Sequence, residues 1–188
     1  MRSLAHITSG FNVQPLLAAI KRQPHLWNRR TFRADHPSSP HREVDDIWLR
    51  YNAWENMDPS NRAAFGEEHE SVWYPEYRCL PQAIPLIFKL MNMVNGERLG
   101  GVFVTRIPAG KQCYPHVDKS WHVDHYDKYV IQLESSPRQV FCFEGESLVS
   151  APGDVFWFDN RQKHWVTNDS EQDRISLICA IRSDRYEG

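Results

Sequence analysis

The sequence predicts a mainly β fold, a β-sandwich or jelly roll, with a helical N-terminal part packed against one sheet. Three observations carry this. From Gly101 onward apolar residues recur with a period of two, in short runs suited to strands. Turn signals separate these runs at close spacing, and no helical pattern lies between them. Aromatic residues, seven Trp among them, make up 12% of the 188 residues, a richness that suits strands or an aromatic-walled pocket.

Taken in order, residues 13–22 (VQPLLAAIKR) place Leu16, Leu17 and Ile20 at helical spacing, with Asn12 available as a cap. From Pro24 to Pro40 three prolines and many charges predict an irregular loop. Residues 46–51 (DIWLRY) read as a strand, and 53–71 as a polar, turn-like stretch. Residues 82–94 set Ile84, Ile87, Leu90, Met91 and Val94 on one helical stripe, with Asn95-Gly96 as the stop signal. Candidate strands follow at 102–107, 129–134, 139–143, 155–158 and 175–182. Pro108-Ala109-Gly110, Ser135-Ser136-Pro137, Glu144-Gly145 and Pro152-Gly153-Asp154 supply the turns.

The length is that of one domain, residues 1–188, in which 1–100 support a core formed by 101–183. A net charge of −2 and a pI near 6.5 give no global field to attract nucleic acid or an anionic membrane. Cys79, Cys113, Cys142 and Cys179 form no CxxC pair, which argues against a structural zinc site. The N-terminus lacks a signal-like apolar stretch, and no run approaches the roughly 20 apolar residues of a membrane span. A cytoplasmic protein with reduced thiols is the expectation.

The chemistry concentrates in Tyr114-Pro115-His116-Val117-Asp118. Along an extended segment residues i and i+2 point to one face, so His116 and Asp118 present an imidazole and a carboxylate together. The third ligand has to come from elsewhere, and His164, just past strand 155–158, is the best placed. Two imidazoles and one carboxylate form the facial triad of non-heme Fe(II) oxygenases, which leaves positions open for co-substrate and O₂. Alone, HxD is a weak signal among nine His, and His122-Val123-Asp124, with His125 beside it, is a rival pair.

Ten residues after His164 comes Arg174, and Arg174 and Ser176 share one strand face. A guanidinium fork beside a hydroxyl suits a carboxylate, and a buried Arg in a β-core needs an anionic partner. The alternative is a surface pairing of Arg174 with Asp169, Glu171 or Asp173. Trp157, Phe158 and Trp165 read as core, and Asn160 and Asn168 as turn caps. Lys128 either reaches the co-substrate or substrate or is solvated. Arg50, Trp48 and Tyr51 are candidates for a substrate entrance. Lys21, Arg22, Arg29, Arg30 and Arg33 read as a solvated basic loop, and His6, His25, His36, His41 and His69 as surface residues.

Together these residues resemble the 2-oxoglutarate/Fe(II) oxygenase superfamily, and within it the aspartyl/asparaginyl β-hydroxylase-like family. The resemblance runs from Arg106 to Arg182: RIPAGKQCYPHVD, YVIQLES, APGDVFWFDNRQKHWVTN and DRISLICAIR. It implies a double-stranded β-helix core, iron at His116, Asp118 and His164, and 2-oxoglutarate anchored by Arg174 with help from Ser176. The implied reaction hydroxylates an unactivated C–H of an amino acid, a peptide or protein side chain, or another small substrate. O₂ is the co-substrate, succinate and CO₂ are co-products, and ascorbate is a helpful reductant. Relatives lacking the carboxylate ligand, halogenases among them, differ from this chain, which keeps Asp118 and so points to hydroxylation. The His- and Asp-rich segment 119–127 departs from the pattern. A cupin-type metal-binding protein without oxygenase activity and a non-catalytic β-sandwich are the competing readings; Arg174 argues against the first.

Overall fold

The computed structural model describes residues 3–183. In chain order the elements are β1 (Leu4–Thr8), α1 (Gln14–Lys21), β2 (Asp45–Tyr51), β3 (Val72–Trp73), α2 (Ala83–Met93), β4 (Gly96–Ile107), β5 (Gln112–His116), α3 (Trp121–His125), β6 (Asp127–Glu134), β7 (Gln139–Phe143), β8 (Ser147–Leu148), β9 (Val155–Phe158), β10 (His164–Asn168) and β11 (Arg174–Ser183). A seven-stranded sheet in the order β1-β9-β6-β11-β4-β2-β3 faces a four-stranded sheet in the order β5-β10-β7-β8. Every pairing is antiparallel, giving the mainly β jelly roll that the sequence predicts.

The larger sheet is buried on both faces, which explains why its central strands are apolar almost throughout. On β11, Ile175, Leu177, Cys179 and Ile181 join Ile131 and Leu133 of β6 in a core completed by α1 and α2. Each fully buried Leu or Ile there contributes about 1.5–3 kcal/mol relative to exposure. The alternate residues Arg174, Ser176 and Ile178 point between the two sheets. There Phe141, Phe143, Phe156, Phe158 and Val166 form a second core.

The two predicted helices are present, with local corrections. α1 buries Leu16, Leu17, Ala19 and Ile20, but its N-cap is Val13 without a side-chain bond, so Asn12 does not cap it. Pro15 sits harmlessly in its first turn, where no N–H is needed. α2 buries Ala83, Leu86, Ile87 and Leu90, a stripe rotated slightly from the expected one. Asn95, at φ +50°, ends it, and β4 begins at once. The first hundred residues contribute the expected strand β2 to the larger sheet and, beyond what the sequence suggests, β1 and β3.

Two irregularities shape the site. The register of β2 against β4 shifts between Trp48 and Arg50, a bulge that reverses which residue faces inward. The His- and Asp-rich segment 119–127 carries α3, whose first turn is capped by Ser120 Oγ accepting the Val123 N–H at 3.3 Å. Among the described residues, no helix is long and apolar enough to cross a membrane.

Candidate metal centre

The centre begins with strand pairing. β5 and β10 are neighbours in the smaller sheet, and their register sets His116 opposite His164. The two rings lie with centroids 4.3 Å apart. Beyond β5 the chain stays pinned, because the Asp118 N–H donates to the Asn160 carbonyl at 3.0 Å. Donor atoms of His116, Asp118 and His164 then all fall within 4.8 Å of one another.

Both imidazoles have their tautomer set in the same way. His116 Nδ1–H donates to the Tyr114 carbonyl at 2.7 Å, and His164 Nδ1–H to the Gln162 carbonyl at 2.8 Å. A carbonyl only accepts, so in each ring Nε2 is left to face the centre. Phe141, Phe143 and Phe158 surround the His164 ring at 6.0, 5.9 and 5.2 Å. Asp118 is oriented from outside: its Oδ2 accepts from Lys128 Nζ and from Asn160 Nδ2, each at 2.9 Å. Its Oδ1 lies 3.3 Å from His116 Nε2.

The electrostatics follow from these contacts. Burial works against ionisation of Asp118, yet the Lys128 ammonium and the two imidazoles hold it well below the usual carboxylate range. Burial also disfavours charge on His116, but Asp118 and Cys113 together outweigh it and push the imidazole up to about 10. His164 is pulled down by burial to about 4, and so is neutral. An anionic carboxylate between two imidazoles, with tautomers preset, is a donor set suited to a divalent metal.

Across the cavity from the smaller sheet stands Arg174, only 4% exposed. Its Nη1 donates to Ser176 Oγ at 2.9 Å and its Nη2 to Ser150 Oγ at a long 3.5 Å. Nε has no partner, and among the described residues no carboxylate pairs with this guanidinium. Burial pulls it down to about 10. Gln132, fully buried, fixes both hydroxyls by accepting from Ser150 Oγ at 3.0 Å and Ser176 Oγ at 3.3 Å. The surface pairing of Arg174 with Asp169, Glu171 or Asp173 is thus not what the fold adopts. An uncompensated buried cation is costly, and a ligand carboxylate would remove that cost.

Arg174, Ser176, His116, Asp118 and His164 line one cavity, with an empty volume of 560 Å³, mouth included. A second cavity of 680 Å³ adjoins it and shares Arg33, His41, Asp118 and Lys128. Its walls include Phe32, Trp48, Tyr51 and Phe103. Trp48 and Tyr51 thus face the space beside the centre. Arg50 does not: the bulge turns it away, its Nε donating to the Leu99 carbonyl at 3.2 Å and its guanidinium lying over Trp73.

Further corrections concern residues read as peripheral. Lys128 is not solvated but paired with Asp118. Arg33 leaves the basic loop to line both cavities, its Nε 3.6 Å from buried Asp46. His41 packs edge-on against His116, with centroids 4.7 Å apart, and His69 stacks on His122 at 5.5 Å, so neither is a plain surface residue. Asn160 does more than shape a turn, since it holds Asp118. Asn168 does bind the turn carbonyls of Ile107, Pro108 and Gln172. Of the rival pair, His122 is buried and accepts the Gly101 N–H at 3.1 Å, while Asp124 is exposed; the two do not converge.

The sequence pattern of the family described as Aspartyl/Asparaginyl beta-hydroxylase matches residues 27–184. No curated protein sequence matches the chain. Among solved structures, the chain is similar to a prolyl hydroxylase from Trichoplax adhaerens in complex with a hypoxia inducible factor peptide fragment. That match has 11% identity and a TM-score of 0.62, over 97% of this chain and 84% of that one. A Pseudomonas putida prolyl-4-hydroxylase matches at 14% identity and a TM-score of 0.57, over 97% and 94% of the two chains. A Burkholderia pseudomallei oxidoreductase of the 2OG-Fe(II) oxygenase family matches at 16% identity and 0.52, over 81% and 74%. At these identities the likeness is one of fold.

Proposed function

The chain belongs to the aspartyl/asparaginyl β-hydroxylase family, and from that premise we propose that it is an Fe(II)- and 2-oxoglutarate-dependent hydroxylase. Its substrate would be an amino acid, a peptide or protein side chain, or another small molecule. The observation that carries this reading is Arg174. A buried guanidinium lacking an anion lines the same cavity as a cluster of two imidazoles and one carboxylate. A metal-binding module with no anionic co-substrate leaves that guanidinium unexplained.

His116, Asp118 and His164 would hold the iron, and Arg174 with Ser176 the far carboxylate of 2-oxoglutarate. When bound, metal and co-substrate supply the O₂-dependent oxidation that turns C–H into C–OH, with succinate and CO₂ as co-products. The chain's own contribution is geometry and charge. Lys128 and Asn160 engage Asp118 Oδ2 and leave Oδ1 toward the metal. The backbone carbonyls of Tyr114 and Gln162 fix both rings. Gln132 keeps the Ser150 and Ser176 hydroxyls in place for the co-substrate carboxylate. Ile107, Val130, Phe141 and Val166 keep water from the space between, where charge interactions are strong. Substrate would approach through the adjoining aromatic cavity, past Trp48, Tyr51 and Arg33.

Anaerobic addition of Fe(II) and 2-oxoglutarate tests the proposal. The chelate gives a weak visible charge-transfer band, and 2-oxoglutarate raises the melting temperature by mass action. Absence of both overturns the reading. Succinate release in a screen of amino acids and peptides then identifies the substrate.

A further inference from the structure

Two donor sets, not one, converge on His116. Its ring lies between His164 on one side and His41 on the other, with centroids 4.3 and 4.7 Å away. On the His41 side stands Cys113, three residues earlier on β5, with its Sγ 4.0 Å from His116 Nδ1. Ligating atoms of His41, Cys113 and His116 all fall within 4.8 Å of one another, as compact a group as His116, Asp118 and His164.

The placement of His41 is built into the fold. The Tyr114 N–H donates to the Pro40 carbonyl at 2.9 Å, and the Gln112 N–H to Glu43 at 3.2 Å. The 40–44 segment is thereby laid along β5, and Arg42 stacks on the Tyr114 ring. Among the described residues the His41 imidazole makes no hydrogen bond, although it lines both cavities. A partnerless imidazole beside a buried thiol is an arrangement that a cation would complete.

We propose that His41, Cys113 and His116 form a second cation site, for a thiophilic ion of the zinc class, which competes with the His116, Asp118 and His164 centre for the shared imidazole. The two sets differ in one donor. A carboxylate suits a harder ion such as Fe(II), whereas a thiolate favours zinc or another soft ion. Zn–N and Zn–S bonds of about 2.0–2.3 Å set donors in a tetrahedral site roughly 3.3–3.8 Å apart, so the present cluster needs only a small inward movement. Binding converts the Cys113 S–H to a thiolate ligand and releases its proton to solvent, with no change in oxidation state. Because the Tyr114 carbonyl holds His116 Nδ1–H, zinc would take the same Nε2 that the oxygenase centre uses, so a seated zinc ion leaves that centre with two of its three ligands. The inference shares His116 with the proposed function but depends on neither substrate nor turnover.

Cobalt(II), a spectroscopic stand-in for zinc, separates the sites. Added anaerobically to the metal-free protein, it should give a near-ultraviolet sulfur-to-cobalt charge-transfer band. The band should vanish in Cys113→Ser, weaken at least tenfold at equal cobalt in His41→Ala, and persist in Asp118→Ala. Zinc-edge X-ray absorption of the wild-type zinc complex should show one sulfur scatterer, a readout that needs no variant. Cobalt bound with visible ligand-field bands but no thiolate band overturns the second site and leaves the oxygenase centre intact. A thiolate band unchanged in His41→Ala overturns it as well, by assigning the sulfur to another cysteine.

Discussion

His116 and His164 are direct cross-strand partners between β5 and β10, and each donates Nδ1–H to the carbonyl two residues before it. The centre is thus templated by sheet register, and a ligand lost from either strand has no local substitute. His116→Ala or His164→Ala should lower Fe(II) affinity by at least about 100-fold, more than the 10–100-fold typical of outer residues. Isothermal titration under anaerobic conditions measures it. Retention of wild-type affinity in both variants counts against the centre.

Asn160 touches no metal in this scheme, yet it donates to Asp118 Oδ2 while Lys128 holds the same oxygen. Asn160→Ala should weaken metal binding by about 10–100-fold with the fold intact. Circular dichroism alongside the titration separates loss of orientation from loss of structure.

Arg174→Met removes a buried cation that has no counter-ion. The apo protein should therefore not be destabilised, unlike the outcome for a paired buried charge. Wild type gains about 2.7 kcal/mol at a 2-oxoglutarate concentration of 100 times Kd, and the variant should gain none. Denaturant unfolding with and without 2-oxoglutarate reads both numbers. A preserved ligand-dependent gain would falsify the role given to Arg174.

In the metal-free protein Asp118 and Cys113 together outweigh burial and raise His116 to about 10, while burial lowers His164 to about 4. At neutral pH the first ring carries a proton that a metal has to displace, and the second does not. Metal affinity should rise about tenfold per pH unit between roughly pH 6.5 and 9, with one proton released per ion. The sign for apo stability is opposite: the His116–Asp118 pair contributes in full below the ordinary His value near 6.5 and fades as pH rises toward 10. Proton release measured calorimetrically in buffers of different ionisation enthalpy checks the stoichiometry; a count of two, or a flat profile, contradicts it.

Gly100 lies under the aromatic wall of the second cavity. A Cβ there would stand 2.9 Å from His122 Nε2 and 3.0 Å from the Tyr126 ring. Gly100→Ala should cost about 1–3 kcal/mol through overpacking. Urea unfolding tests this, and an unchanged midpoint would show that α3 yields.

The legible parts of the molecule were those with local spacing. His116 and Asp118 two apart, and Arg174 and Ser176 two apart, needed only strand periodicity to be set on shared faces. The central strands of the larger sheet were readable because burial on both faces makes them largely apolar, whereas the short edge strands β1 and β3 carry no such run. Illegible were contacts whose geometry depends on distant pairing. His41 is linked to β5 by a backbone bond from Tyr114 to Pro40, which no side chain announces. Gln132 and Asn160 act through hydrogen bonds to groups distant in sequence, and an amide in a strand or turn carries no sign of that. Arg50 was misplaced because a bulge breaks the two-residue rule at one position.

That bulge also sets the charge of the doorway. It turns two successive residues, Leu49 and Arg50, away from the antechamber, so that a phenol rather than a guanidinium looks in; the same residues paired on β4 without the bulge would present Arg50 instead. What guards this entrance is therefore decided by the register of β2 as much as by the identity of its side chains.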